Sequence, residues 1–569
     1  MHENHLISAV LGAVCLMAAC APAPSSGGRT AETANPAPAG GPRGALKLAW
    51  PLEPDALHPK FLTGSGNGDY NWIFSSAITY LDFRGTAHPM LAETIPTQEN
   101  GGWVINPDGT MVTTYRLRPN LKWHDGVPLT TEDFLFGFEV TLDQDIAVQD
   151  RQVERRISRI DTPDDRTLVV HWKEPYVAAN TLGYRTLSPI PRHRLEQRYR
   201  TNKGSFLASD DWTVNFIGNG PFYVEQWNPG SNLLARAFTD WALGPPKLER
   251  IDIRFVKDAN TMLANLLAGE VDMINSPGIR PAEAVLARDQ WVAAGQGSLK
   301  TYQRALWYIG FQFREVPDWQ PAVTDLRVRR AMMHAVDREG LADAITLGLG
   351  SVAHAFITAT DATFPEVDAV LTKYPYDPNR AAALLADAGW RRTSEGATLT
   401  NAAGQSFDVS AFGSSDQAKT ATIVADNWKS AGMNATPFVI PQGRERDQQF
   451  RANFPSTEIN SRTIANDNFV FNSASVATAE NGYLGSNRGG FADPDIDRFH
   501  ELRLTTLDEG ERRRANIEVN RRLSELVGIG PLLYSVEAIL TRNGVTGPIG
   551  IYAGQQGLTW NVHEWEIAG

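Results

Sequence analysis

Two periodicities alternate along this chain. Residues 45–50 read as a strand. Residues 115–134 read as a strand, a tight turn and a helix: Asp125-Gly126 marks the turn, because glycine accepts positive φ. Thr130 and Asp133 then stand at capping-box spacing, and Phe134, Phe138 and Leu142 fall on one helical face. Residues 218–273 pattern as a loop, a β-meander, a helix closed by Gly269 and a short buried strand. In residues 325–338 the apolar stripe is Val328, Ala331, Met332, Ala335 and Val336, with Arg327, Arg329 and Arg330 off it and expected on a solvated face. Asp377 is a good N-cap, Pro378 suits the first helical position, and Gly389 ends that helix. Residues 415–431 pattern as helix and 438–440 as strand. A helix pattern followed by a strand pattern over 415–440 is consistent with an α/β arrangement there.

The N-terminus follows neither period. Residues 6–17 form an apolar run too short for a transmembrane helix, which needs about 20 residues. The run ends at Met17-Ala18-Ala19-Cys20. Small residues before a cysteine resemble the bacterial lipobox, so residues 1–19 are expected to be a signal peptide and Cys20 the acylated first residue. The segment before the run contains no Lys or Arg. Residues 21–44 are mostly Ala, Pro, Ser, Gly and Thr, a composition that buries too little surface to offset ordering entropy. They are expected to form a disordered linker between lipid and folded protein.

The chain has 569 residues, 42% of them hydrophobic, enough for two or three domains. Its two cysteines are Cys15, in the segment expected to be removed, and Cys20, so no disulfide is expected. A net charge of −12 argues against a nucleic-acid partner, which requires basic patches. The eleven histidines show no ligand spacing, so no metal site and no cofactor are expected. His124-Asp125 sits at a turn with no nucleophile nearby, and a structural role is expected there.

Four segments, residues 115–134, 218–273, 325–338 and 374–390, in this order and spacing resemble the family 5 solute-binding proteins of ABC importers, the oligopeptide, dipeptide and nickel type. The resemblance extends over roughly residues 45–565. It implies a periplasmic-binding-protein-like α/β fold of type II with three lobes. Lobe I would comprise residues 45–86, 212–300 and 526–569, lobe II the inserted residues 87–211, and lobe III residues 301–525. Ligand would be enclosed between lobes I and III by hinge closure. His58 and Phe311-Gln312-Phe313 depart from the family pattern, which has an acid and an asparagine there. The partners implied are a small solute or peptide, the permease subunits of an importer, and the membrane through the lipid anchor. The protein is expected to act as an extracytoplasmic monomer, in the periplasm or at the cell surface.

The family's peptide binders pair the ligand's α-amino group with an aspartate shortly before an Asp-Pro-Asp-Asn-Phe run. Here only Asp467-Asn468-Phe469 match, and in gapless register Arg462 takes the position of that aspartate. A guanidinium suits a carboxylate or phosphate, which points to an acid, a sugar acid or a blocked peptide. The other reading of Arg462 is surface exposure or a pair with Glu458. By the same resemblance Phe491 takes the position of an aromatic brought to the ligand, with Tyr483 and Asn487 beside it; packing in a core is the alternative for Phe491. Asn71 and Trp72, after the glycine-rich residues 64–68, and Trp307 complete the candidate ligand set. No catalytic residue is expected: the chain lacks Gly-x-Ser-x-Gly, His-Glu-x-x-His and phosphate-loop motifs. A hydrolase and a sensory ligand receptor remain the competing classes.

Overall fold

The computed structural model describes residues 43–61, 67–83, 85–148, 151–359, 361–445, 447–463, 471–548 and 557–568. The signal, Cys20, the linker as far as residue 42, the glycines at 64 and 66, and Asp467-Asn468-Phe469 lie outside the described residues. The last two residues expected in the linker belong to the fold instead, Arg43 N–H donating to the Lys247 carbonyl at 2.7 Å and the Gly44 carbonyl accepting from Glu249 N–H at 3.0 Å. The described chain belongs to one compact unit.

The first strand, β1 (Ala45–Trp50), pairs in parallel with β8 (Arg250–Phe255) and β9 (Met273–Ile274). Helix α1 (Asn67–Phe74) follows β1 and packs on its core. A separate four-stranded antiparallel sheet is built from β2 (Trp103–Ile105), β3 (Met111–Arg116), β4 (Ile157–Asp164) and β5 (Thr167–Trp172), in the order β2-β3-β5-β4. Helix α2 (Thr131–Leu142) carries the expected capping box of Thr130 with Asp133, and the short helix α3 (Gln152–Arg156) leads into β4. The meander is β6 (Phe222–Asn228), β7 (Asn232–Ala237) and β8; helix α4 (Ala259–Leu267) then ends before Gly269, whose φ is +76°.

Two long strands follow. β10 (Gly297–Phe311) and β14 (Ile529–Arg542) pair antiparallel along almost their full length. Between them in sequence lie helix α5 (Leu326–His334), helix α6 (Pro378–Asp387), β11 (Asp408–Gly413), helix α7 (Ala418–Ser430), β12 (Asn434–Val439), the short helix α8 (Gln448–Ala452), β13 (Thr457–Thr463), and helices α9 (Pro494–Thr505) and α10 (Glu509–Leu526). The large sheet runs β12-β11-β13-β10-β14-β9-β1-β8-β7-β6, with Ser351–Val352 also on β14.

Three main cores flank these sheets. One gathers Leu46, Leu48, Phe74, Ile251, Ile539 and Trp565 from both chain ends. A second lies on the four-stranded sheet around Tyr115, Phe134, Leu168 and Trp172. The third, around Ile309, Val328, Met332, Trp428 and Leu533, covers one face of the sheet's other end. Among the described residues, only β10 and β14 carry residues of both the first and third cores. Between those cores Ser535, Val536 and Glu537 of β14 are half-exposed, and β10 is bulged between Gln303 and Ala305. Glu537 holds this crossing, accepting from the Tyr302 hydroxyl and from Arg304, both at 2.7 Å.

Two expectations need correction. Arg329 does not lie on a solvated face. It is buried, stacked over Phe313 at 4.8 Å, and donates to the carbonyls of Val323, Thr324, Leu526 and Val527. A buried guanidinium needs all its donors filled, and the C-terminal carbonyls of α10 supply acceptors. The strand expected at residues 438–440 begins earlier, at Asn434, because it pairs in parallel with β11 from Asp408 onward.

Candidate functional site

Three glycine contacts and one histidine fix α1 in place. A Cβ at Gly218 would lie 2.0 Å from the Phe74 carbonyl oxygen, and one at Gly220 2.4 Å from the Phe74 carbonyl carbon, so the loop can approach the helix end only with glycine there. A Cβ at Gly557 would come within 3.0 Å of Gly68, at the other end of the helix. His124 closes the arrangement: its Nδ1 accepts from Gly218 N–H at 3.1 Å and its Nε2 meets the Gly220 carbonyl at 3.0 Å. Burial lowers its pKa to about 4, which keeps the ring neutral.

The helix thus held carries a dense polar and aromatic surface. The Asp69 carboxylate accepts from Leu558 N–H and Thr559 N–H; burial raises its pKa to about 7, against the pull of Arg304. Tyr70 stacks on Trp50 at 4.3 Å and donates to the Leu52 carbonyl at 2.7 Å. Asn71 is completely buried, yet both its amide nitrogen and its amide oxygen lack a hydrogen-bond partner. Trp72 packs against Tyr184 at 5.6 Å and Tyr80 at 6.5 Å, and its Nε1 is unpaired. The same is true of Trp50 Nε1, Trp560 Nε1 and both side-chain amide atoms of Asn275, the residue after β9. A buried polar group left unpaired costs about 1–3 kcal/mol. Several such groups around α1 and β1 are atypical of packing alone and mark this region as a place that can take a polar ligand.

At the sheet's other end, Trp307, Ile309 and Phe311 of β10 face the third core, while Leu306 and Tyr308 face a smaller core with Phe471 and Phe491. Antiparallel register sets Arg462 opposite Leu306, Asn460 opposite Tyr308 and Glu458 opposite Gly310. Residues directly opposite share a face, so Glu458, Asn460 and Arg462 lie on the Tyr308 side. A Cβ at Gly310 would come within 2.8 Å of Glu458 Cγ, and its absence lets that side chain cross the strand.

The sequence-derived candidates therefore separate. Asn71 and Trp72 sit on the α1 wall; Arg462 lies half-buried on β13. Arg462 does not pair with Glu458, whose Oε2 meets Arg488 at 3.3 Å. Asn487 is spent inside its own loop: Nδ2 donates to the Asn472 and Phe491 carbonyls, and Oδ1 accepts from Gly490 N–H and Phe491 N–H. No hydrogen-bonding capacity remains for a ligand. Phe491 takes its packing alternative, buried against Phe313 at 5.2 Å. Tyr483 is half-buried in a left-handed conformation, φ 59°. Trp307 is half-buried on the face away from Tyr308. Trp50, Asn275, Tyr308 and Trp560 had no sequence signal, since an unpaired buried atom becomes visible only when its neighbours are placed.

Two long strands thus join separate cores, and buried polar groups without partners lie around α1. Residues 86–481 match the model of the bacterial extracellular solute-binding proteins, family 5 (middle), and the chain belongs to that family. It is 23% identical to the oligopeptide-binding protein AppA of Bacillus subtilis over 448 residues, 76% of each chain. Its fold is similar to the oligopeptide-binding protein of Thermus thermophilus solved with a pentapeptide: TM-score 0.73 and 21% identity, over 92% of this chain and 96% of that one. It is also similar to NikA of Brucella suis solved with Fe(III)-EDTA, with TM-score 0.74 and 19% identity over 92% and 100%. No helix among the described residues is long and apolar enough to cross a membrane.

Proposed function

We propose that this protein captures a peptide or peptide-like solute outside the cytoplasm and delivers it to the permease of an ABC importer. The observation that carries the reading is the pair of strands β10 and β14, which join two cores through a half-exposed crossing. The lobes are those of the sequence reading: residues 45–86, 212–300 and 526–569; 87–211; and 301–525. Ligand sits between the first and third, against Asn71 and Trp72 on one side and Arg462 on the other. The crossing at residues 300–305 and 535–537 is the hinge, and Cys20 carries the lipid anchor. The ligands of the two similar structures, a pentapeptide and Fe(III)-EDTA, support a solute with several polar groups.

Closure on a ligand shifts a population between open and closed states. A ligand that binds only the closed, folded form stabilises it by about 2.7 kcal/mol at a hundredfold excess over its Kd. The test is calorimetry with a pentapeptide library, followed by small-angle scattering with the best member. Binding with a smaller radius of gyration is expected. Absence of binding by every peptide overturns the peptide reading, and binding with an unchanged radius overturns the hinge.

A further inference from the structure

The buried face around Tyr308 holds more positive charge than its acids offset. Glu458, nearly inaccessible, takes Arg488 at 3.3 Å and Asn460 Nδ2 at 3.2 Å. Arg314, just beyond β10, sits near Glu458 as well; its two terminal nitrogens go to the carbonyls of Ala452, Ala477 and Arg488, and its Nε is buried and unpaired. Arg451 on α8 reaches the Glu445 carbonyl at 3.3 Å and leaves its Nε buried and unpaired. The Arg462 side chain makes no hydrogen bond or ion pair among the described residues. In their midst the Tyr308 hydroxyl is buried without a partner, although Glu458, Arg462, Arg488 and Arg451 all act on it. Phe471 closes over the ring edge-on at 5.3 Å.

Like charges gathered in a half-buried place repel, and each guanidinium kept from water without a partner is costly. Such a cluster persists where an anion completes it. We propose that Arg462, with the Tyr308 hydroxyl beside it and Arg488 behind, receives a carboxylate of the bound solute, so that this protein selects acidic peptides or peptide-like acids. The inference rests on the capture of a peptide-like solute proposed above. Arg462 supplies a planar pair of donors suited to a carboxylate. The Tyr308 hydroxyl donates to the same oxygen that Arg462 neutralises. Arg488, held by Glu458, adds field without direct contact.

The test uses the full-length protein and four peptides: Ala-Ala-Glu-Ala-Ala and Ala-Ala-Gln-Ala-Ala, each with a free and an amidated C-terminus. Fe(III)-EDTA and inorganic phosphate are the non-peptide anions. Calorimetry on wild type should rank peptides by carboxylate content. Arg462→Ala should weaken the preferred acidic peptide by tens of fold to thousands of fold, and the fully amidated glutamine peptide hardly at all. Arg462→Lys should restore part of the loss and Tyr308→Phe should produce a smaller one. Without ligand, Arg462→Ala should melt at the wild-type temperature or above it. Equal discrimination by wild type and Arg462→Ala overturns the proposal, as does a melting point several degrees lower, which would make Arg462 structural. Where no peptide binds, the peptide reading fails by itself. The anion site is then judged on Fe(III)-EDTA and phosphate: binding lost in Arg462→Ala supports it, and no binding at millimolar concentration overturns it.

Discussion

Lys60 and Glu154 form an ion pair almost without solvent contact, Nζ to Oε1 at 2.7 Å, with 2% and 1% of their side chains exposed. Lys60 belongs to the segment after β1 and Glu154 to α3, which leads into β4 of the four-stranded sheet, so the pair ties the two sheets' surroundings together. The same Glu154 oxygen accepts from Leu187 N–H at 2.8 Å. Glu154→Gln keeps the shape and an acceptor for Leu187 but removes the carboxylate charge that the buried Lys60 ammonium faces at 2.7 Å. Breaking a buried pair from one side costs about 3–5 kcal/mol, because the desolvation already borne by the remaining ion is no longer offset. Adding Lys60→Met removes that ion. The double variant should regain more than half of the loss, short of full recovery because the glutamine amide hydrogens then face an apolar neighbour. Urea unfolding followed by tryptophan fluorescence, with the coupling taken from the double-mutant cycle, measures both quantities. A single variant within 1 kcal/mol of wild type, or a double variant no more stable than the single one, refutes the reasoning.

Asp69, raised by burial to about 7 from an ordinary 3.8, keeps its proton in the fold over a range where the unfolded chain has lost it. Stability from this group is therefore complete below about pH 4 and falls as pH rises to about 7, by roughly 4 kcal/mol at most. Asp69→Asn, which retains an acceptor for Leu558 and Thr559, should abolish that slope; urea midpoints of the two proteins at pH 4.5 and pH 8 check it, and a parallel pH dependence contradicts it. His58, His124, His354 and His500, held by burial near 4, tilt the opposite way, so stability from them drops as pH falls from about 6.5 to about 4 in both proteins alike. Arg329→Met should cost about 2–4 kcal/mol by stripping donors from four carbonyls, buried or partly buried, including those closing α10. A thermal or urea midpoint equivalent to less than 1 kcal/mol would show those carbonyls to be satisfied otherwise.

Local signals in the chain determined the elements that local physics controls. The capping box at Thr130 and Asp133, the Asp377 cap with Pro378 behind it, and the turn at Gly126 (φ +85°) all formed where their side chains and φ preferences demand. The apolar stripe of α5 lies in the third core for the same reason: a 3.6-residue period can bury only one face. Family membership was also legible, because it rests on short motifs in a fixed order. The site was not. Arg329 and Arg462 carry the same side chain, and the residues beside each in sequence do not distinguish their surroundings. One fills with four carbonyls and the other faces a charged cluster, an outcome set by which strands and helix ends arrive beside them from as far as 198 residues away. Asn71 and Asn487 likewise share a residue type, yet one has every hydrogen bond made and the other none. Periodicity reports which face of an element is buried; only the packed chain settles whether a buried polar group has found its partner.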